Sequence, residues 1–159
     1  MTDAELSGHL RALGVSEKNL GLVALLPLVQ VAWCDGKVQR SERKIILEAA
    51  DSMASMDAES KAVLDRWLTQ DPGFSAHERA LRVLTGLSEK SDSRVSVNTL
   101  SEIVGLCHEV ASAAGGLLGV AFTIDPREQA TIEHIAQVLV ADANPESGSG
   151  WIRLLEELE

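Results

Sequence analysis

The fold is decided by residues 25–53, LLPLVQVAWCDGKVQRSERKIILEAADSM. Leu25, Leu26, Val29, Ala32 and Trp33 recur three and four apart, the interval of one helix face. Pro27 lacks a backbone donor, so it predicts a kink there or a division into two shorter helices. Asp35-Gly36 breaks the pattern, as Asp-Gly pairs do. A further helix is then expected from about Arg40 to Met53, with Ile45, Ile46, Ala49 and Met53 inward. Its first turn holds Glu42, where the helix dipole favours a carboxylate.

The same grammar extends in both directions. Upstream, Thr2 and Glu5 form a capping box for a helix carrying Leu6, Leu10 and Leu13, which Gly14 ends. Ser16 is expected to cap the central, mostly apolar helix that runs to about Cys34. Downstream, a fourth helix spans about Asp57 to Thr69, with Val63, Leu64, Trp67 and Leu68 inward. Asp71-Pro72-Gly73 is a turn, and Ser75 to Glu78 reads as another capping box. A fifth helix then carries Ala80, Leu81, Val83, Leu84 and Leu87. Ser88 to Ser93 is a loop, and a sixth helix spans about Val95 to Ala114. Asp125-Pro126-Arg127-Glu128 opens a seventh, reaching about Ala141 with Ile132, Ile135, Ala136 and Leu139 inward. Residues 143–150 have linker composition. Residues 151–159 read as a short amphipathic helix. No period-two alternation appears, so the expectation is an all-α single-domain bundle of about seven helices over 1–142, a linker, and the C-terminal helix.

At 159 residues the chain is one ordinary domain, long enough to bury roughly 70% of its unfolded surface. Apolar residues at 45% and charged residues at 24% exclude a disordered chain. Twenty-four acidic against fourteen basic residues give a net charge of −10. That disfavours nucleic acid and anionic membrane as partners and leaves cations and basic proteins open. Two cysteines, Cys34 and Cys107, are too few for a disulfide scaffold and read as buried thiols in a reducing cytoplasm. The opening residues lack a secretory pattern. The longest apolar run is shorter than the ~20 residues a membrane span needs. The protein is therefore expected in the cytoplasm, touching membrane only peripherally through another protein.

An internal repeat runs through these elements. Residues Val31 to Gly36 align with Val110 to Gly115, and Val38 to Glu42 with Ile124 to Glu128. Ile46, Ala50 and Met53 align with Ile132, Ala136 and Leu139. The second copy has Ala114 where the first has Asp35, and it carries seven extra residues drawn from Gly116 to Phe122. Two matching helix-break-helix units predict a pseudo-twofold bundle.

The stretch from Leu25 to Met53, with Val-Ala-Trp-Cys-Asp-Gly-Lys-Val followed by Glu42 and Ile45-Ile46, resembles the signature of the TerB-like family. That family includes tellurite-resistance proteins and the amino-terminal domain of some membrane-anchored J-domain co-chaperones. The resemblance covers about Glu17 to Val140; the second copy of the motif is degenerate at Ala114. It implies an all-helical domain without enzymatic activity, linked to tellurite and other stress resistance. It also implies that clustered acidic residues hold a divalent metal.

The candidate ligands are Asp35 and Glu42, with Asp125 and Glu128 as second-copy counterparts. Carboxylates suit a hard cation such as Ca²⁺ or Mg²⁺. Two copies packed about a dyad would bring the glutamates together. The competing reading is that these residues only cap helices, with no cofactor. In that case the protein is an interaction scaffold, a homodimer among the options. Its protein partner would meet the apolar insert 116–122 (Leu117, Leu118, Phe122) and the C-terminal helix (Trp151, Ile152, Leu155). His108-Glu109 lacks the second histidine of a zinc-protease motif, because Ser112 stands there. No nucleophile elbow or phosphate loop is present, so no enzyme is expected.

Overall fold

The computed structural model describes residues 2–53, 56–89, 97–115 and 125–141. The helices are α1 (Asp3–Leu13), a 3₁₀ segment (Glu17–Leu25), α2 (Leu26–Trp33), α3 (Arg40–Asp51), α4 (Ala58–Thr69), α5 (Phe74–Ser88), α6 (Val97–Gly115) and α7 (Pro126–Ala136). A π turn over Gln137–Ala141 extends α7. No strand occurs among the described residues. The Ser88–Ser93 loop, the 143–150 linker, the insert 116–122 and the helix expected over 151–159 lie wholly or mostly outside them.

Residue 27 acts differently from a mid-helix kink. Pro27 stands in the first turn of α2, where its missing N–H is unsatisfied anyway. The preceding nine residues form a 3₁₀ helix with a non-helical residue at Asn19 (φ −109°, ψ 23°). The sequence therefore divides into two shorter helices, as one of the two readings of Pro27 held. Ser16 occupies the N-cap position but its side chain makes no capping bond. The expected box at Ser75 to Glu78 is also displaced. Gly73, at φ +95°, starts α5 two residues earlier, and Asp71 Oδ1 accepts from its N–H at 3.0 Å. Ser75 thus sits inside the helix rather than before it. The Thr2–Glu5 box and the left-handed Gly14 stop are as read.

The core is built around α2. Leu26, Leu28, Val29, Val31 and Ala32 are all fully buried, because α3, α5, α6, α7 and the 3₁₀ segment pack around it. Trp33 Nε1 donates to the Trp67 carbonyl at 2.8 Å and ties the end of α2 to the end of α4. Three repeat-equivalent pairs share their burial, Val31 with Val110, Ala32 with Ala111 and Ile46 with Ile132, whereas Ala136 and Met53 are only partly buried where Ala50 and Leu139 are fully so. The two units are α2–α3 and α6–α7, and α6 packs against both helices of the first. No single helix among the described residues is long and apolar enough to cross a membrane.

Candidate functional site

Four short-range signals place the site. Trp33 ends α2, and Gly36 adopts φ +92° to reverse the chain, its N–H bonding the Trp33 carbonyl at 2.9 Å. Asp35 Oδ1 accepts from Lys37 N at 3.3 Å, an Asx turn. Gln39 is the N-cap of α3, and Glu42, three residues on, reaches back so that Oε2 accepts from Gln39 N at 2.7 Å. In the second unit Asp125 is the N-cap of α7, its Oδ1 accepting from Arg127 N at 2.8 Å. Glu128 mirrors Glu42 by accepting from the Asp125 backbone.

These caps aim two glutamates into the protein. Glu42 is 0% exposed and Glu128 3% exposed. Their carboxyl groups lie close enough to act on each other, the neighbourhood of Glu128 raising Glu42 and that of Glu42 lowering Glu128. Two buried carboxylates side by side repel when both are ionised, which favours a proton on the pair. Burial is the largest cause holding the Glu42 carboxyl well above the ordinary range; the Gln39 bond opposes it, and the charges of Asp35 and Glu128 add to it. Glu128 is raised too, again mainly by burial, although the bonds from Glu42 and Asp125 pull the other way. Glu42 Oε1 is buried without a hydrogen-bond partner.

The flanking residues complete a negative locus. Asp35 acts electrostatically on both glutamates, and Asp125 on Glu128. Asp125 is partly neutralised: its Oδ2 pairs with Arg127 Nη2 at 3.3 Å, and this bonding holds its carboxyl below the usual range. Cys34, half-buried at the end of α2, has its thiol pushed up to about 12, first by burial and then by Glu128, Asp35, Asp125 and Glu42. Cys107 is fully buried.

The four expected carboxylates therefore share one electrostatic neighbourhood, and the two glutamates are its buried members. Among the described residues no group of three or more His, Cys, Asp or Glu side chains is placed to hold a metal ion. Two contributions escaped the sequence reading. Gln39 supplies the backbone donor that fixes Glu42; the Gln-x-x-Glu spacing, parallel to Asp125-x-x-Glu128, was its available signal. Arg127 neutralises Asp125, for which adjacency along the chain was the only sign. Leu117, Leu118, Phe122, Trp151, Ile152 and Leu155 lie outside the described residues.

No protein-family model, curated protein or solved structure matches the chain. The fold and the site together define an all-helical domain with a buried carboxyl pair between two helix-break-helix units.

Proposed function

We propose that this chain is a non-enzymatic, TerB-like stress protein whose functional centre is the Glu42–Glu128 pair. Its ligand is a divalent cation of the Ca²⁺ or Mg²⁺ class. The observation that carries this reading is Glu42 Oε1, a carboxyl oxygen buried without a partner beside a second buried carboxyl. Such a group is costly to bury unless a proton or a cation satisfies it. Glu42 and Glu128 would provide the direct ligands, and Asp35 would add charge or a water-mediated contact. Hard cations take six or more oxygens, so water or carbonyl groups would supply the remainder. When bound, the ion replaces the shared proton.

A second reading rests on the caps. Both glutamates bond their N-cap backbones, so they also serve as helix starts. In this reading the pair holds the two units together through its proton, and the protein is an adaptor without a metal.

Calorimetric titration of metal-free protein with Ca²⁺, Mg²⁺, Mn²⁺ and Zn²⁺ separates the two. Cation uptake predicts micromolar binding with proton release, visible as a buffer-dependent heat, and its loss in Glu42→Gln. Absence of heat and of any thermal shift with all four ions would refute the metal reading and leave the adaptor.

A further inference from the structure

Three consecutive residues of α5 each meet another element through an imidazole. His77 Nε2 lies 3.3 Å from Asp71 Oδ1 in the turn before α5. Glu78 Oε1 lies 2.8 Å from His134 Nε2 on α7, and Arg79 Nη1 lies 2.8 Å from His9 Nδ1 on α1. Imidazole is the side chain whose charge ordinarily changes between about pH 5 and 8. The three contacts respond to that change with different signs.

The Arg79–His9 contact tolerates only a neutral ring. A guanidinium has donors and no acceptor, so His9 Nδ1 accepts and carries no proton. Protonating it removes the acceptor and sets two cations together in a part-buried contact. The ring of His77 is 6% exposed, and its Nδ1 is buried without a partner. With Nε2 donating to Asp71, protonation turns Nδ1 into a buried donor that nothing receives. Burial holds this imidazole below the usual range, against the pull of Asp71 and Glu78. Glu78 and His134, both partly exposed, do the reverse, because a protonated ring there gains an ion pair.

Both intolerant rings lie along the seam of α1. That helix packs mainly against α5, with Leu6, Leu10 and Leu13 buried. Ala12 and Leu13 share a hollow of about 240 Å³ with Trp67, Asp71 and Pro72, so the turn that His77 anchors abuts the end of α1. The surrounding charges do little to offset these effects. Glu5, one turn before His9, acts on its ring but is exposed, and its Oε2 accepts from Thr2 N at 2.8 Å. Asp3 and Arg11 of α1, Arg82 of α5, and Glu17 and Lys18 of the 3₁₀ segment are exposed. α2 and the π turn, which also pack on α5, carry no ionisable side chain.

We propose that α1 is an acid-released strap. Protonation of His9 and His77 detaches it from α5 and bares Leu6, Leu10, Leu13 and the α5 face beneath them, while the Glu78–His134 pair keeps α5 fastened to α7.

Amide hydrogen exchange of the full-length chain at pH 7.5 and 5.5, corrected for intrinsic rates, tests this. Protection over residues 7–13 should fall at least tenfold at the lower pH, while that over residues 130–136 does not fall. In His9→Gln the amide oxygen still accepts from Arg79 and does not titrate, so the fall should shrink at least threefold. Arg79→Gln should shrink it similarly by removing the cation. Circular dichroism at pH 7.5 verifies the fold of each variant. Ring ¹⁵N NMR of the unsubstituted protein reads the same event without mutation: His9 and His77 should each hold one proton, on Nε2, at pH 7.5 and gain the Nδ1 proton as α1 opens. Equal loss of protection in α1 and α7 would mean global acid unfolding and overturn the strap. A fall of undiminished size in both variants would overturn His9 as its trigger. A His77 ring that stays neutral while α1 opens would remove that residue from the device, and constant α1 protection would refute the device outright.

Discussion

Replacing Glu42 by glutamine tests the shared proton directly. The amide keeps the bond to the backbone, its oxygen accepting from Gln39 N, and its NH₂ can donate toward Glu128 as a protonated acid would. What it removes is titration. In the wild-type protein the Glu42 carboxyl holds its proton above the ordinary range in the folded state, whereas in the unfolded chain it releases it near pH 4.3. Stability from the shared proton is thus fully present below that unfolded value and is lost as pH rises through the raised folded value. Across the interval between them the native state holds one proton more than the unfolded chain, so wild-type stability falls by up to about 1.4 kcal/mol per pH unit. Glu42→Gln escapes that loss. Urea denaturation of both proteins from pH 5 to 9 measures the difference. The two should lie within about 1 kcal/mol at pH 5, where the acid and amide make equivalent bonds. The variant should gain by more than about 1.4 kcal/mol at higher pH. Subtraction also removes the opposite slope from His77 and His108, whose imidazoles burial holds below the usual range. A stability difference independent of pH would refute the shared-proton reasoning.

Other perturbations test the frame around the site. Leu28 is fully buried in α2, so Leu28→Ala should cost about 2–5 kcal/mol in urea denaturation; a loss under 1 kcal/mol would show that α2 is not the centre of the core. Trp33→Phe deletes the donor to the Trp67 carbonyl and should cost about 1–3 kcal/mol, since it leaves a part-buried acceptor unsatisfied; an unchanged denaturation midpoint would deny the tie between α2 and α4. Gly73→Ala forces a side chain to φ +95° at the start of α5 although the space around it is open. It should lower stability by about 1–3 kcal/mol through backbone strain alone, and a neutral result would place the α5 start elsewhere.

The sequence carried the elements whose signals are local. Thr2, Glu5 and Gly14 punctuate α1 within one turn, and Asp125-Pro126 does the same for α7, so those helices were readable residue by residue. The start of α5 was not, because Ser75 and Glu78 satisfy a capping spacing that Gly73 pre-empts with its positive φ; Glu78 instead meets His134 at 2.8 Å. Nor did apolar periodicity distinguish the 3₁₀ segment from α-helix, since both bury a stripe and nine residues hold too few repeats to separate three per turn from 3.6. At the site, Glu42 and Glu128 were legible through the repeat, which placed them at equivalent first turns. Their closeness to Cys34 and the pairing of Arg43 with Asp65 depend on helices brought together in three dimensions, and such pairings leave no periodic trace.

The arrangement around α2 has a consequence for synthesis. Its most apolar residues are translated early, yet a wall of their final enclosure is α6, which ends 82 residues after Trp33, at Gly115. At about 5–20 residues per second, a ribosome takes roughly 4–16 s to make that stretch. During this interval α1, the 3₁₀ segment and α5 can cover one side of α2, while the side destined for α6 and α7 faces water. The repeat therefore sets an order of assembly in which the second unit arrives last to close the first.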